Sequence, residues 1–385
     1  MKSDFAIIHL CEAFASGILK VVAALANETA SRGIPTVVVH GHRPETPDEL
    51  RSVFDPQVRL VPVVGWEEGF GWPSPVSLVR AAAVLRGQLS EHRTGVLHMH
   101  STHAGVVGRL VPTPGWKRFY TPHGYAFLNA GHPWFMRSLA VVTETVLARR
   151  AHTLACSRAE GAEAARLQYH GRVSVVQNGL DTEALRPVAP EPEERFVVAA
   201  VGRAAYQRRP DLFAELAVML RDEVDVDLVW FGDGPEAARL RRAGVRVSGW
   251  LRPQEVAPAL ARTNVIVHFS AFEGLPIALL EAMTAGRAIV ANDLPAIREV
   301  VGDTAVLVRT PSEAADAVRV LHADGERRKE LALRARGRVQ RLFTREAMVG
   351  RMLAAYELPG LTAAAAGPGP VDRSVQTDVR ETRTS

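Results

Sequence analysis

Residues 265–291 read Val-Ile-Val-His-Phe-Ser-Ala-Phe-Glu-Gly-Leu-Pro-Ile-Ala-Leu-Leu-Glu-Ala-Met-Thr-Ala-Gly-Arg-Ala-Ile-Val-Ala. Val265–Phe269 is a short apolar, β-branched run, as a strand buried on both faces requires. Pro276–Ala285 reads as a helix, with Pro276 at the first helical position, where its missing N–H costs nothing. Ala288–Ala291 is a second apolar strand run. Strand, helix and strand in close succession make a β-α-β unit, whose two strands lie parallel.

The same alternation continues on both sides. Phe196–Val201, Val226–Phe231, Arg246–Val247 and Thr304–Val308 read as strands, and Pro210–Leu220 and Glu313–His322 as helices. Residues 326–357 read as helical, with a break expected near Gly337 or at Phe343-Thr344. Upstream, residues 186–194 (Arg-Pro-Val-Ala-Pro-Glu-Pro-Glu-Glu) are proline-rich and polar, as linkers are. Ahead of them the plan recurs, with strands at Phe5–Leu10, Thr36–His40, Val96–His100, Arg118–Thr121 and Thr153–Cys156 and a helix at Ile18–Arg32. The expected organisation is a domain over 1–186, a linker over 187–195 and a second domain over 196–342. A helix over 343–358 is expected to return to the first domain, and a tail over 359–385 to be disordered. The fold class is α/β, with two Rossmann-like parallel-sheet domains. Two such domains facing across a cleft would place ligands at the carboxyl ends of their strands.

Composition agrees with this scale. A chain of 385 residues holds two to three domains at about 150 residues each. With 47% hydrophobic and 23% charged residues it is neither a disordered chain nor a fibrous one. The balance of 46 Lys+Arg against 42 Asp+Glu is a dispersed excess of +4, which argues against a nucleic-acid partner. The two cysteines, Cys11 and Cys156, are far apart, so neither a structural zinc site nor a disulfide framework is expected. The apolar run Phe5–Leu10 contains His9 and is followed by Glu12, which is no signal peptide. No apolar run approaches the ~18 residues of a membrane span, and a cytoplasmic address is expected.

The loop between Phe269 and the following helix carries the densest chemistry. Amides at Gly274 and Leu275, ahead of a helix N-terminus, suit an anion such as a diphosphate. Glu273 and Glu281 each offer a carboxylate that accepts two hydrogen bonds, as a sugar or ribose diol requires. On spacing alone, a capped amphipathic helix with one exposed glutamate is an equally good reading.

This segment, on through Glu281-Ala-Met-Thr-Ala-Gly286 and Ile297-Arg-Glu-Val300, closely resembles the retaining glycosyltransferases of family 4. Their hallmark is two glutamates with seven residues between them, as Glu273 and Glu281 have. The resemblance spans roughly residues 5–355 and implies the GT-B fold. It implies transfer of a sugar from a nucleotide diphosphate-sugar, UDP-sugar favoured over GDP-sugar, with attack from the leaving-group side and no covalent nucleophile. Val201-Gly202-Arg203 and Gln207-Arg208-Arg209-Pro210 resemble the loop that clamps the diphosphate. Arg203 matches the family's arginine, and Arg208 stands where the family has lysine, with Arg209 beside it as the alternative ligand. Gly232-Asp-Gly-Pro235 resembles the turn near the nucleotide, and Val247-Ser-Gly249-Trp250 the segment that meets the base. The resemblance thus assigns the donor to Gly17, Gly202, Arg203, Arg208, Gly232, Gly249, Trp250, Glu273, Gly274, Leu275, Pro276 and Glu281. Glu281 would hold the ribose and Glu273 the donor sugar. The expected catalytic set is Glu273, His123, Arg203 and Arg208.

In the first half, Tyr120-Thr-Pro-His123-Gly124 resembles the loop that sets a histidine beside the donor sugar; sugar contact and proton movement are both open roles for it. Ala15-Ser16-Gly17 matches in part a glycine pair between the first strand and its helix, with Ser16 replacing one glycine. Asn178-Gly179-Leu180-Asp181 matches a structural turn. Residues 121–127 and 43–47 look most like enzymes of bacterial surface-polysaccharide assembly, which implies a glycan or lipid-linked acceptor. The helix near Trp134–Arg150 mixes Trp134, Phe135, Met136 and Leu139 with arginines, which suits either the inner membrane surface or core packing.

No metal and no resident cofactor are expected, the nucleotide sugar being a co-substrate. His98-Met99-His100, followed by His103, invites a metal reading, and residues 98 and 100 would share a strand face as two ligands should, but no carboxylate or cysteine lies close in sequence to complete the set. Asp225-Val-Asp227 starts a strand and is read as a solvated turn. No dinucleotide fingerprint, Walker loop or Gly-x-Ser-x-Gly elbow is present. A nucleotide-sugar epimerase and a non-catalytic partner subunit stay open as alternatives.

Overall fold

The computed structural model describes residues 3–66, 74–167, 172–183, 195–221 and 225–358. Most of the expected linker, residues 187–194, and the whole tail 359–385 lie outside the described residues. The chain forms two compact units, one from Met1–Asn178 with Glu346–Ser385 and the other from Gly179–Arg345.

The first unit is built on β1 (Ser3–Cys11), β2 (Thr36–His40), β3 (Arg59–Pro62), β4 (His92–His100), β5 (Trp116–Thr121), β6 (His152–Ala155) and β7 (Arg172–Val175). Its helices are α1 (Ser16–Ser31), α2 (Pro75–Ser90), α3 (Thr102–Leu110), α4 (Trp134–Leu147) and α5 (Arg158–Leu167). The sheet order is β3-β2-β1-β4-β5-β6-β7, and every pairing is parallel. The second unit has β8 (Phe196–Val201), β9 (Val226–Phe231), β10 (Arg246–Val247), β11 (Val265–His268), β12 (Ala288–Asn292) and β13 (Val306–Val308). Its sheet order is β10-β9-β8-β11-β12-β13, again parallel. Its helices are α6 (Pro210–Leu220), α7 (Ala237–Arg242), α8 (Pro253–Ala261), α9 (Ile277–Thr284), α10 (Pro295–Val301), α11 (Pro311–Ala323) and α12 (Gly325–Leu342). A last helix, α13 (Arg345–Ala355), belongs almost wholly to the first unit.

The central strands are buried on both faces because helices cover both sides of each sheet, which explains their apolar runs in place of alternation, whereas the edge strands β3 and β10 are partly exposed. In the first unit one face packs Leu97, Met99, Leu85 and Tyr120, and the other packs Phe14, Val22, Val38 and Phe54. In the second, Trp230 and Phe213 meet edge to face at 5.5 Å within one cluster. Burying each such side chain stabilises the fold by roughly 1.5–3 kcal/mol. The final helical stretch breaks at Phe343, while Gly337 stays inside α12. There Leu180 forms a parallel bridge with Thr344, and Arg345 pairs with Asp181 at 2.8 Å. A Cβ on Gly179 would lie 2.1 Å from the Thr344 carbonyl, so the turn needs glycine for close approach.

In both units the strand order reverses beside the first strand, between β1 and β4 and between β8 and β11. Ligands of open α/β sheets bind beyond the carboxyl ends of the strands at such a point. The residues that follow these four strands are therefore the candidate site residues.

Candidate active site

In the second unit, β8 ends at Val201 and runs into Gly202 and Arg203. The Gly202 amide donates to the Phe231 carbonyl at 2.9 Å, and the indole N–H of Trp230 donates to the Gly202 carbonyl at 2.7 Å. Gly232, just past β9, has φ +137°, and a Cβ there would lie 2.2 Å from the Gly202 oxygen. Only glycine accepts both the backbone angle and the approach. Gly232 also bridges Gly249 and takes a hydrogen bond from its amide to the Ser248 hydroxyl at 3.2 Å. The two glycine turns thus stack one on the other, and Trp250, next along, is exposed.

The loop from β11 carries the charge. Glu273 is buried, and one carboxylate oxygen takes hydrogen bonds from the Ser270 hydroxyl at 2.6 Å and from His268 Nε2 at 3.0 Å. The Arg208 guanidinium pairs with the same oxygen and donates to Ser270 Oγ at 2.9 Å. Burial holds the Arg208 pKa down to about 10, which leaves it cationic at neutral pH. His268 lies well below the ordinary histidine value because of burial and the Arg208 charge, so it is neutral. The loop backbone is fastened as well. Asn292 accepts from the Ser270 amide at 2.9 Å and donates to its carbonyl at 2.8 Å, and the Ala271 amide donates to Gln207 at 2.8 Å. That last bond ties the loop of Arg208 to the loop of Glu273.

The two neighbouring arginines take different partners. Arg209 takes a left-handed backbone, φ +47°, and turns to Asp211 at 2.7 Å, so only Arg208 reaches Glu273. Arg203 is half-buried. Gly274, Leu275 and Pro276 are buried in the loop, and Glu281 is buried in the second turn of α9. Pro276 does not take the first helical position that the sequence predicts for it. Its ψ of 97° is extended, so it is the residue before the helix and not the first helical one, and α9 starts at Ile277. Asp225 and Asp227 pair with Arg195, both at 3.0 Å, at the strand end opposite to the site loops. His268 and Ser270 escaped the sequence reading. Their two-residue spacing at the end of a strand, just ahead of Glu273, was the available signal.

In the first unit the strand ends carry left-handed non-glycine residues, Ser16 at φ +48°, Ser101 at +75° and His123 at +55°. Such backbone strain clusters at functional sites. Ser16 opens α1, which places Gly17 inside the helix and not in the loop ahead of it. The His123 loop is held by a buried carboxylate: Glu160 accepts from the Gly124 amide at 2.6 Å and from the Cys156 amide at 2.7 Å. Burial raises the Glu160 pKa more than these two amides lower it. His100 and His123 lie 3.1 Å apart, and His9 lies 3.1 Å from His100. His9 and His98 are partners across β1 and β4, a link over 89 residues that the sequence does not display. His9, His98 and His100 have ring nitrogens within 4.8 Å of one another, a trio that could hold a metal.

Beyond β1, Glu12 is buried and pairs with Arg43 at 2.6 Å and with His103 at 3.3 Å. Burial alone would raise its pKa, but the hydrogen bond from His103 and the Arg43 charge leave it lowered. Helix α4 is fixed from beneath by the buried pair Arg109–Glu144 at 2.8 Å, with the Tyr120 hydroxyl donating to Glu144 at 2.9 Å. Its other face exposes Trp134, Phe135, Leu139, Val142 and Val146, which excludes core packing for that face. Among the described residues no helix is long and apolar enough to cross a membrane.

Comparison with known proteins agrees with this architecture. The profile described as Glycosyltransferase Family 4 matches residues 15–184, and that described as Glycosyl transferases group 1 matches residues 195–324. An alpha-D-kanosaminyltransferase of Streptomyces kanamyceticus is 33% identical over 169 residues, which is 40% of this chain and 44% of that protein. The chain thus spans less than half the length of this relative. Sucrose-phosphate synthase from Thermosynechococcus elongatus superposes with a TM-score of 0.79 at 20% identity, covering 91% of this chain and 98% of that one. Anabaena HepE, solved with UDP and glucose, gives a TM-score of 0.73 at 16% identity, with 91% and 99% covered. Two parallel sheets with this strand order, two matching profiles in chain order and these neighbours place the chain among the family 4, group 1 glycosyltransferases of the GT-B fold.

Proposed function

We propose that this protein transfers a sugar, with retention of configuration, from a nucleotide diphosphate-sugar to a glycan or lipid-linked acceptor in bacterial surface-polysaccharide synthesis. The observation that carries the reading is the buried Arg208–Glu273 pair, set beside stacked glycine turns at the strand-order reversal of the second unit. A diphosphate needs a cation and close backbone approach, and both are supplied there. Arg203 and Arg208 would neutralise charge on the departing diphosphate, with the Gly274 and Leu275 amides. They take the place a metal ion fills elsewhere, so no metal cofactor is invoked. A bound diphosphate would compete with Glu273 for Arg208, freeing the carboxylate to accept from donor-sugar hydroxyls. Glu281 would hold the ribose, and Gly232, Gly249 and Trp250 would flank the nucleotide. UDP is the favoured nucleotide, as in the complex of the Anabaena protein with UDP and glucose. A thermal-shift series with UDP-, GDP-, ADP- and dTDP-sugars tests this, because a ligand of the native state raises its melting temperature. UDP-sugars should give the largest rise, and no rise with any of them would overturn the reading.

The acceptor partner is read from α4. Its exposed Phe135, Leu139, Val142 and Val146 follow the three- and four-residue spacing of one helix face, with exposed Arg137, Arg149 and Arg150 nearby. Apolar side chains on one face, with Arg149 and Arg150 at its end, match an anionic lipid surface, where a lipid-linked acceptor would reside. Cytoplasmic placement with peripheral contact at the inner membrane follows from that reading. Flotation with vesicles of anionic lipid, against neutral vesicles, is the measurement; equal failure with both would remove the membrane from the proposal.

A further inference from the structure

Four imidazoles crowd the strand ends of the first unit. His98 and His100 lie on β4, His9 on β1 and His123 just past β5. His98 stands apart in its bonding: its Nδ1 is 2.6 Å from the Tyr356 hydroxyl and its Nε2 is 2.9 Å from the Thr121 hydroxyl. Both of its nitrogens are thereby used. The other three form a row. His9 Nδ1 is 3.1 Å from His100 Nε2, and His100 Nδ1 is 3.1 Å from His123 Nε2. The His100 and His123 rings stack, with centroids 5.4 Å apart and planes 18° from parallel. Both nitrogens of His100 are occupied by other imidazoles, so a metal among these rings would have to displace bonds already made.

Burial lowers His9 and His123 to about 3 and keeps His100 well below the ordinary value, so all three rings are neutral near pH 7. A neutral imidazole has one N–H and one bare nitrogen. His100 must therefore donate to one neighbour and accept from the other, and the row has a single direction. Its inner end decides which. His9 Nε2 is buried and has no partner among the described residues. If the row ran inward, that atom would be an orphaned N–H; if it runs outward, it is only an unused lone pair. Buried donors without partners are the rarer and costlier case. Outward, His9 donates to His100, His100 donates to His123 Nε2, and the proton of His123 sits on Nδ1.

We infer that His9 and His100 are positioning residues that fix His123 as its Nδ1–H tautomer, so that His123 meets its ligand as a neutral hydrogen-bond donor and not as a base. The inference rests on the proposed sugar-transfer reading, in which the ligand met by the His123 loop is a sugar. The oxygen it would face is a sugar hydroxyl or an oxygen gaining negative charge. The strained backbone at His123, φ +55°, and the Glu160 grip on the Gly124 amide hold the ring to this one donor direction.

Long-range proton–nitrogen spectra of the full chain labelled at histidine read the tautomer directly, without any sugar present. His123 should show a protonated Nδ1 and a bare Nε2 across about pH 5 to 8. His100→Phe should release it into mixed tautomers and lower the turnover of transfer by at least about tenfold at unchanged UDP affinity. His100→Asn, whose amide nitrogen replaces Nδ1, should restore both the single tautomer and most of the turnover. A proton on His123 Nε2 in the unaltered chain, or an unchanged tautomer in His100→Phe, overturns the inference. Saturable shifts of His9, His98 and His100 together on adding stoichiometric zinc would overturn it too, in favour of a metal site. If no nucleotide sugar binds, the functional reading fails while the spectra still decide the tautomer.

Discussion

The two units run their first six strands in one order, yet they fill the reversal point with opposite chemistry. At the carboxyl ends of β1 and β4 and just past β5, the inner layer is a row of neutral imidazoles. Past β8 and β11, it is a guanidinium against a carboxylate. Topology selects the place, since loops at a reversal part and leave a crevice. Side chains then select the ligand. A diphosphate calls for fixed positive charge, whereas hydroxyls are met by neutral donors that carry no desolvated charge.

The largest expected effect would break the charged half of this contrast. Arg208→Ala should lower transfer by about 10²–10³-fold, the usual cost of deleting one electrostatic contact to developing charge. Arg208→Lys should recover part, since it restores the charge without the planar fork. Arg203→Ala should weaken donor binding measurably in calorimetry; full activity with unchanged affinity would end its assignment. Next is Gly232→Ala, where the added carbon meets the Gly202 carbonyl in a backbone region closed to alanine. It should cost about 1–3 kcal/mol in urea unfolding of the second unit, with the first unit unchanged.

Acid should then separate the units more gently. Folded His9 and His123 have pKa values lowered to about 3, and His98 and His100 are lowered as well, against His268 in the second unit. Below the unfolded value near 6.5 the unfolded chain binds protons that the folded chain refuses. The stability held by these neutral rings is complete above pH ~6.5 and is lost as pH falls toward about 3. Acid titration followed by the tryptophans of each unit should find the first unit failing earlier, and His9→Phe should flatten its slope. A second unit that fails first would break the contrast. The smallest effect is at the surface. Phe135→Ser with Val142→Ser should shift stability by less than about 0.5 kcal/mol and yet abolish binding to anionic vesicles.

The strands were legible because buried parallel strands are written as short apolar runs, and Val37–Val39 or Val265–Val267 admit little else. Glu273, Arg208 and the glycine turns were legible because the loops that carry them adjoin those strands. Adjacent Arg208 and Arg209 could not be told apart in one dimension. Their separation is made by a left-handed residue, which arginine does not announce. Pro276 was misplaced by one position because proline's fixed φ suits both an extended residue and a first helical turn. The imidazole row was out of reach, since it depends on the register of β1 against β4, which only the folded sheet supplies.

The place of Tyr356 has a consequence for how the protein is made. It is fully buried in the first unit, against Phe119 and His98, although the whole second unit intervenes in the chain. A ribosome that has finished Asn178 must still add the second unit before that ring exists. At about 5–20 residues per second the wait is on the order of ten to forty seconds. During it, the first sheet lacks its last packing element, and His98 lacks the hydroxyl that occupies its Nδ1. The second unit is continuous in sequence and can close as it emerges. Synthesis therefore inverts the written order: the half encoded second can finish folding first.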